Sequence, residues 1–230
     1  MLAVVTISAN AEWQFVRGFY PAMPVQTSSL GEWFEMQLSG QPVIFFHGGW
    51  GKIAAAASTQ YILGRWNPDL LVNLGTCGGF AGAIDRGTVL LVERTLVYDI
   101  IEQMSDPQAA IRHYTVELDL SWLREPYPQA VQRSLLVSAD RDICLPDIPM
   151  LIEQYGASAA DWESGAIAWV ASRNGTRCLI LRGVSDLVGA AGGEAYGAVE
   201  VFHEGTRLVM EPMLQALPQW LERCNHGVAR

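Results

Sequence analysis

Two acidic clusters flank one strongly apolar stretch. Asp161-Trp162-Glu163-Ser164-Gly165-Ala166-Ile167-Ala168 opens a short amphipathic helix, and Gly183-Val184-Ser185-Asp186 follows the apolar run Cys178-Leu179-Ile180-Leu181-Arg182. A helix that feeds an interior strand can bring its first-turn carboxylate near a carboxylate just past that strand's end. Two carboxyl groups in unlike environments suit cleavage of a sugar bond, one donating a proton while the other steadies positive charge on the ring. The same residues also fit an ordinary strand end at which an Asp starts a turn, and spacing alone leaves both readings open.

The elements that must position these acids follow from hydrophobic patterning. Strands are expected at 2–8, 42–47, 69–75, 88–93, 134–138 and 177–183, and helices at 11–20, 51–66, 147–155, 161–174 and 198–223. Runs such as Leu70-Leu71-Val72-Asn73-Leu74 and Thr88-Val89-Leu90-Leu91-Val92 read as buried on both faces, as in a largely parallel sheet. The helix at 51–66 follows Gly48-Gly49-Trp50-Gly51 and stops near Asn67-Pro68, where proline cannot continue it. Residues 94–130 contain Pro107, Pro126 and Pro128 and read as an irregular excursion beside the site. With no repeat, low-complexity tract or linker, a single α/β domain over 1–230 is expected. Ligand sites in such sheets lie past strand ends. Four segments gather there: Ser8 to Glu12, Gly48 to Lys52, Gly75 to Phe80, and Val184 to Asp186.

Composition narrows the chemistry. Half of the 230 residues are hydrophobic and 17% are charged, which demands a well-buried core. A net charge of −9, with Lys52 the only lysine, argues against a nucleic-acid groove. Cys77, Cys144, Cys178 and Cys224 form no CxxC, and four scattered histidines give no metal pattern. The start of the chain reads directly as a strand, without the features of a signal peptide, and no apolar run reaches the ~20 residues that span a bilayer. A soluble, cytoplasmic protein with no membrane partner is expected. Several motifs fail on inspection. Gly48 to Lys52 is no phosphate loop, because Phe46 stands at the first required glycine and Ile53 at the Ser/Thr position. Cys77 interrupts any GxGxxG, Ser164 lies outside a GxSxG elbow, and His203-Glu204 does not continue into HExxH. Glu12 opens a helix, where a carboxylate is favourable for dipole reasons alone, and Trp13 and Trp162 also fit as packing aromatics.

Taken together, four stretches resemble the nucleoside phosphorylase superfamily, in particular its hydrolytic branch, the methylthioadenosine/S-adenosylhomocysteine nucleosidases. They are Gly49-Trp50-Gly51-Lys52-Ile53-Ala54-Ala55-Ala56, the run from Pro68 to Gly79, Trp162-Glu163-Ser164-Gly165-Ala166-Ile167-Ala168, and Val184-Ser185-Asp186. The resemblance implies a single-domain α/β fold with a mostly parallel mixed sheet flanked by helices. It implies hydrolysis of a purine nucleoside or thio-nucleoside, with no metal and no organic cofactor, in a homodimer. Trp50 and Trp169 are compatible with such an interface, although a packed core explains them equally well.

By the same resemblance, Asp186 protonates purine N7, Glu163 binds the ribose hydroxyls, Glu12 holds water, and Ser185 orients Asp186. Ser138 to Ile143 falls where the base edge is read, partly through backbone groups near Asp142 and Ile143. Further substrate contacts are implied at Ala9, Gly49, Thr76, Cys77 and Gly78, and at Asp161 and Trp162. Several positions depart from the family pattern. Trp162 replaces a methionine beneath the ribose, and Arg141 and Asp142 replace a more apolar flank, which weakens an adenine assignment. Asn73 stands where phosphorylases carry a phosphate-binding arginine, and their N-terminal phosphate loop has no match. Missing cationic donors argue for water as the nucleophile. The alternatives are a phosphate-dependent purine nucleoside phosphorylase, a nucleosidase for a modified base, and a non-catalytic nucleoside sensor.

Overall fold

The first strand, β1 (Ala3–Ile7), is buried at every residue. Its side chains divide between two layers: Ala3, Val5 and Ile7 join one core cluster, and Val4 joins another on the opposite face. That two-sided burial is why the strand is continuously apolar instead of alternating. The computed structural model describes residues 1–224, so residues 225–230 of the expected domain lie outside the described residues.

In chain order, β1 is followed by α1 (Asn10–Phe19), β2 (Gln26–Ser28), β3 (Gly31–Leu38), β4 (Gln41–His47), α2 (Lys52–Trp66), β5 (Leu70–Phe80) and β6 (Val89–Val97). Then come α3 (Pro107–His113), β7 (Val116–Glu117), β8 (Gln132–Ser138), α4 (Ile148–Tyr155), β9 (Ala159–Asp161), α5 (Ser164–Arg173), β10 (Cys178–Gly189), β11 (Gly192–Gly193) and α6 (Val199–Cys224). The strands form one mixed sheet with a parallel centre, β4-β1-β5-β10. Helices α1 and α6 cover one face of that centre, while α2 and α5 cover the other. Among the described residues, no helix is long and apolar enough to cross a membrane.

The sheet also curls onto itself. β10 pairs β6, β6 pairs β8, β8 pairs β9 and β9 pairs β5, while β5 pairs β10 directly. Those five strands make a closed ring, in which three-residue β9 is the last stitch. Ala160 pairs both Gly78 of β5 and Val137 of β8. The chain therefore leaves the ring's mouth at Asp161, and Glu163 follows two residues later.

All six expected strands and all five expected helices are present, with shifted limits. Strands β5 and β10 run well past 75 and 183, so Gly75 to Phe80 and Val184 to Asp186 are strand residues, not loops. Their glycines answer to packing. A Cβ at Gly75 would lie 2.6 Å from Glu12 Oε1 and 2.4 Å from Arg182 Nη1. Helix α5 starts at Ser164, because Asp161 belongs to β9. Strands β2 and β3, which extend β4 into an antiparallel meander, had no counterpart in the expected elements. The meander turns at Ser39-Gly40, both with positive φ (48° and 72°), between the paired Leu38 and Gln41. That is a two-residue hairpin turn whose twist suits the flanking strands.

Helix α6 packs so closely on β10 that a Cβ at Gly205 would lie 2.1 Å from the Ser185 carbonyl oxygen. Gly205→Ala is therefore expected to destabilise the protein by about 1–3 kcal/mol through overpacking. Gly64→Ala in α2, where nothing lies within 4 Å of a new Cβ, is expected to raise stability by up to about 1 kcal/mol. Thermal denaturation of the two variants beside the parent checks both signs.

Candidate active site

A cavity of about 620 Å³ opens at the mouth of the ring. Ala9 and Glu12 from the β1–α1 junction, Trp50 after β4, and Thr76, Cys77 and Gly78 from β5 contribute to its wall. Asp142 and Ile143 follow β8, Asp161 to Glu163 follow β9, and Ser185 and Asp186 come from β10. Gly49 does not line it; the expected contact there is replaced by Trp50, which meets Trp162 edge-on at 5.6 Å between ring centroids. The excursion at 94–130 contributes nothing to the wall either. Trp169 is tied to it instead, its indole N–H donating to the His113 carbonyl at 3.1 Å.

Glu12 sits in the first turn of α1 and is 1% exposed. Its Oε2 accepts from the Ala9 N–H at 3.0 Å, and its Oε1 accepts from the Thr76 N–H at 2.6 Å and the Thr76 hydroxyl at 2.8 Å. A carboxylate offers roughly four lone-pair sites, so one remains free on the cavity side. Glu163 caps the start of α5, where its Oε1 accepts from the Gly51 N–H at 2.9 Å. Lys52 anchors that turn: its backbone N–H donates to Asp140 Oδ1 at 2.6 Å, and its ammonium pairs with Asp99.

Between these acids lies Arg182, on β10 and 1% exposed. Its guanidinium donates to Ser164 Oγ (3.0 Å), the Thr76 carbonyl (3.1 Å) and Asn73 Oδ1 (2.9 Å). It also lies 3.1 Å from Asp161, 3.6 Å from Glu163 and 3.7 Å from Glu12. One cation thus faces three buried carboxylates. Burial is the largest effect on Glu163; with the Asp161 and Glu12 charges it outweighs Arg182 and the Gly51 N–H and pushes the carboxyl up to about 8. Asp161 is absorbed by this cluster, accepting from the Ser138 hydroxyl and the Ser164 N–H. It lines the cavity wall as well as holding its neighbours.

Asp186 also lines the cavity, at a register shift in β10 between Val184 and Asp186. Such a bulge re-aims a side chain. Burial raises its pKa from the ordinary carboxyl value, and the nearby Glu194 and Asp142 charges add to this. The Ser185 hydroxyl, donating to Asp186 Oδ1 at 2.7 Å, and Arg86 pull the other way. Cys77 meets the cavity as a neutral thiol, its pKa raised chiefly by burial.

A family profile described as the Phosphorylase superfamily matches residues 2–215. The chain belongs to that superfamily. Among curated relatives of this superfamily chain, the 5'-methylthioadenosine/S-adenosylhomocysteine nucleosidase of Tolumonas auensis is 26% identical over 199 residues, covering 81% of this chain and 86% of its own. The corresponding nucleosidase of a Shewanella species is 27% identical over 173 residues, covering 70% and 73%. Two solved structures share the fold. The Arabidopsis thaliana 5'-methylthioadenosine nucleosidase gives a TM-score of 0.79 at 18% identity, over 99% of this chain and 97% of that one. The Colwellia psychrerythraea nucleosidase in complex with adenine gives 0.78 at 18%, over 97% and 96%.

Within this phosphorylase-superfamily site, sequence reasoning missed Arg182 as a functional residue, along with Tyr196, Val199 and Phe202 of the cavity wall. Arg182 did carry a signal: a lone charge inside the apolar run Cys178 to Val184. A buried charge in such a strand must be paired.

The raised Glu163 pKa makes stability depend on pH. The folded state prefers the protonated group, so its favourable contribution is complete below about pH 4.5, the ordinary value, and is lost as pH rises through about 8. Glu163→Gln is expected to gain in Tm relative to the parent progressively across that window, with a constant difference beyond it. Calorimetric Tm at stepped pH reads this directly.

Proposed function

We propose that this chain hydrolyses the N-glycosidic bond of a purine nucleoside or 5′-thio-nucleoside, the reaction class of the methylthioadenosine/S-adenosylhomocysteine nucleosidases it resembles. The observation that carries the reading is the opening of Glu12, Glu163 and Asp186 onto one cavity whose sole lining cation, among the described residues, is Arg141. That guanidinium is engaged by Asp147 at 2.5 Å. Among the described residues lining the cavity, no further cation is available to grip a phosphate nucleophile, whereas water needs only an acceptor.

The steps follow from placement. As the C1′–N9 bond breaks, its electron pair passes to the base and Asp186 delivers a proton to N7. The ribose becomes cationic beside a cluster of three carboxylates and one arginine. Glu163 holds the ribose hydroxyls against that charge. Glu12 uses its remaining lone pair to take a proton from water as the oxygen bonds to C1′. Proton return from Glu12 to Asp186 through solvent completes the cycle. A homodimer accompanies this reading, supported by the exposed apolar side chains of Trp50, Ile53, Ile101 and Met104. A cytoplasmic setting fits the four free thiols.

The test is a nucleoside panel with and without phosphate, free base being read by chromatography. Base release independent of phosphate is expected, and Asp186→Asn should slow it about 10²–10⁴-fold with Tm little changed. Near-normal turnover in that variant, or strict phosphate dependence in the parent, would overturn the assignment.

A further inference from the structure

One carboxylate of the cavity has no role in the steps above. Asp142 lines the wall. Among the described residues, its side chain has no hydrogen-bond or ion-pair partner. Its neighbours are committed elsewhere. Arg141 turns away to Asp147 at 2.5 Å and lies over the Tyr98 ring at 5.4 Å. Ile143 packs against β5, where a Cβ at Gly78 would lie 2.7 Å from its Cδ1. The Tyr196 hydroxyl donates to the Ile143 carbonyl at 3.0 Å, occupying one lone pair of a backbone acceptor on the same wall. Asp142 is an exposed residue of the cavity wall, on the stretch Arg141-Asp142-Ile143 that follows β8, and its charge acts on Asp186 and Tyr196 of the same wall. The charges around Asp186 are those of Asp142 and Glu194, against Arg86.

An ionised carboxylate only accepts hydrogen bonds. A base edge that meets it must therefore donate. Adenine offers an amine beside the bare N1 lone pair, and that lone pair would oppose the carboxylate. A 6-oxopurine carries a hydrogen on N1, and guanine adds the 2-amine, giving two parallel N–H groups that match two carboxylate oxygens. We propose that Asp142 reads the six-membered edge of the purine and selects guanine or hypoxanthine nucleosides over adenine nucleosides. This rests on the purine-nucleosidase reading and departs from the adenine compounds named for the relatives.

The experiment compares kcat/KM for base release from guanosine, inosine, adenosine and their 5′-methylthio forms, in the parent, Asp142→Ala and Asp142→Asn. Binding of free hypoxanthine and adenine is measured alongside by calorimetry. The parent is expected to favour the 6-oxopurines by at least about tenfold, and Asp142→Ala to lose about 5–150-fold on them, the range of one good bidentate contact. Asp142→Asn presents one acceptor and one donor, which suits adenine's amine and N1, so its preference is expected to swing toward adenine. A merely structural role would not move this ratio. A parent that favours adenine, or a base ratio unchanged within about twofold in both variants, overturns the proposal while leaving hydrolysis standing. Absence of base release from every nucleoside would sink the hydrolase reading. Hypoxanthine binding that depends on Asp142 would then uphold the base-edge assignment, and indifference would remove it too.

Discussion

A single guanidinium, buried and surrounded by three carboxylates, sets what the rest of this site can be. Isolated charges of this kind are costly to remove from water, and pairing offsets the cost only when the remaining donors and acceptors are satisfied. Arg182 meets that condition through Ser164, Asn73 and the Thr76 carbonyl, with Asp161, Glu163 and Glu12 around it. The balance is left negative. Such a pocket would receive a positively charged ring, as the proposed hydrolysis requires of the ribose, better than a neutral one. Burial, with the Asp161 and Glu12 charges adding to it, raises the Glu163 pKa in the resting protein.

Topology delivers these groups together. Glu12 comes from the first helix, Arg182 and Asp186 from β10, and Glu163 from the point where three-residue β9 closes the ring. The bulge at Ser185 shifts the register of β10 just before Asp186, which lines the same cavity as Glu12 and Glu163. Both acids are buried but have unlike neighbours: Glu163 lies beside Arg182, Asp161 and Glu12, and Asp186 beside the Ser185 hydroxyl with Glu194, Asp142 and Arg86 around it. Gly75 and Gly205 mark the closest approaches that hold this arrangement, one beside Arg182 and Glu12 and the other against the Ser185 backbone.

Much of this was legible in the chain. Doubly buried strands announced themselves as unbroken apolar runs, and Asn67-Pro68 ended α2 where expected, with Asn67 in a left-handed conformation at φ 42°. The acidic segments pointed to the cavity before its geometry was known. Other features were hidden because their causes are long-range. Gly78 and Gly79 read as loop, yet they are small to admit Ile143, Val184 and Leu187, which are remote in sequence. The short strand β9 has no pattern of its own and exists because β5 and β8 both offer edges to it. The 39–40 turn was missed for a local reason, since Ser-Gly is a weaker hairpin signal than Asn-Gly.

The account turns on a pocket charged to favour a cationic ribose. Its most direct test is the affinity of a protonated pyrrolidine analogue of the ribose, bound together with free purine base, against its neutral tetrahydrofuran counterpart. Calorimetry at pH 7 is expected to show the cation bound at least about 100-fold more tightly, the lower end for mimics of a transition state. Equal affinity for the two rings would contradict the account.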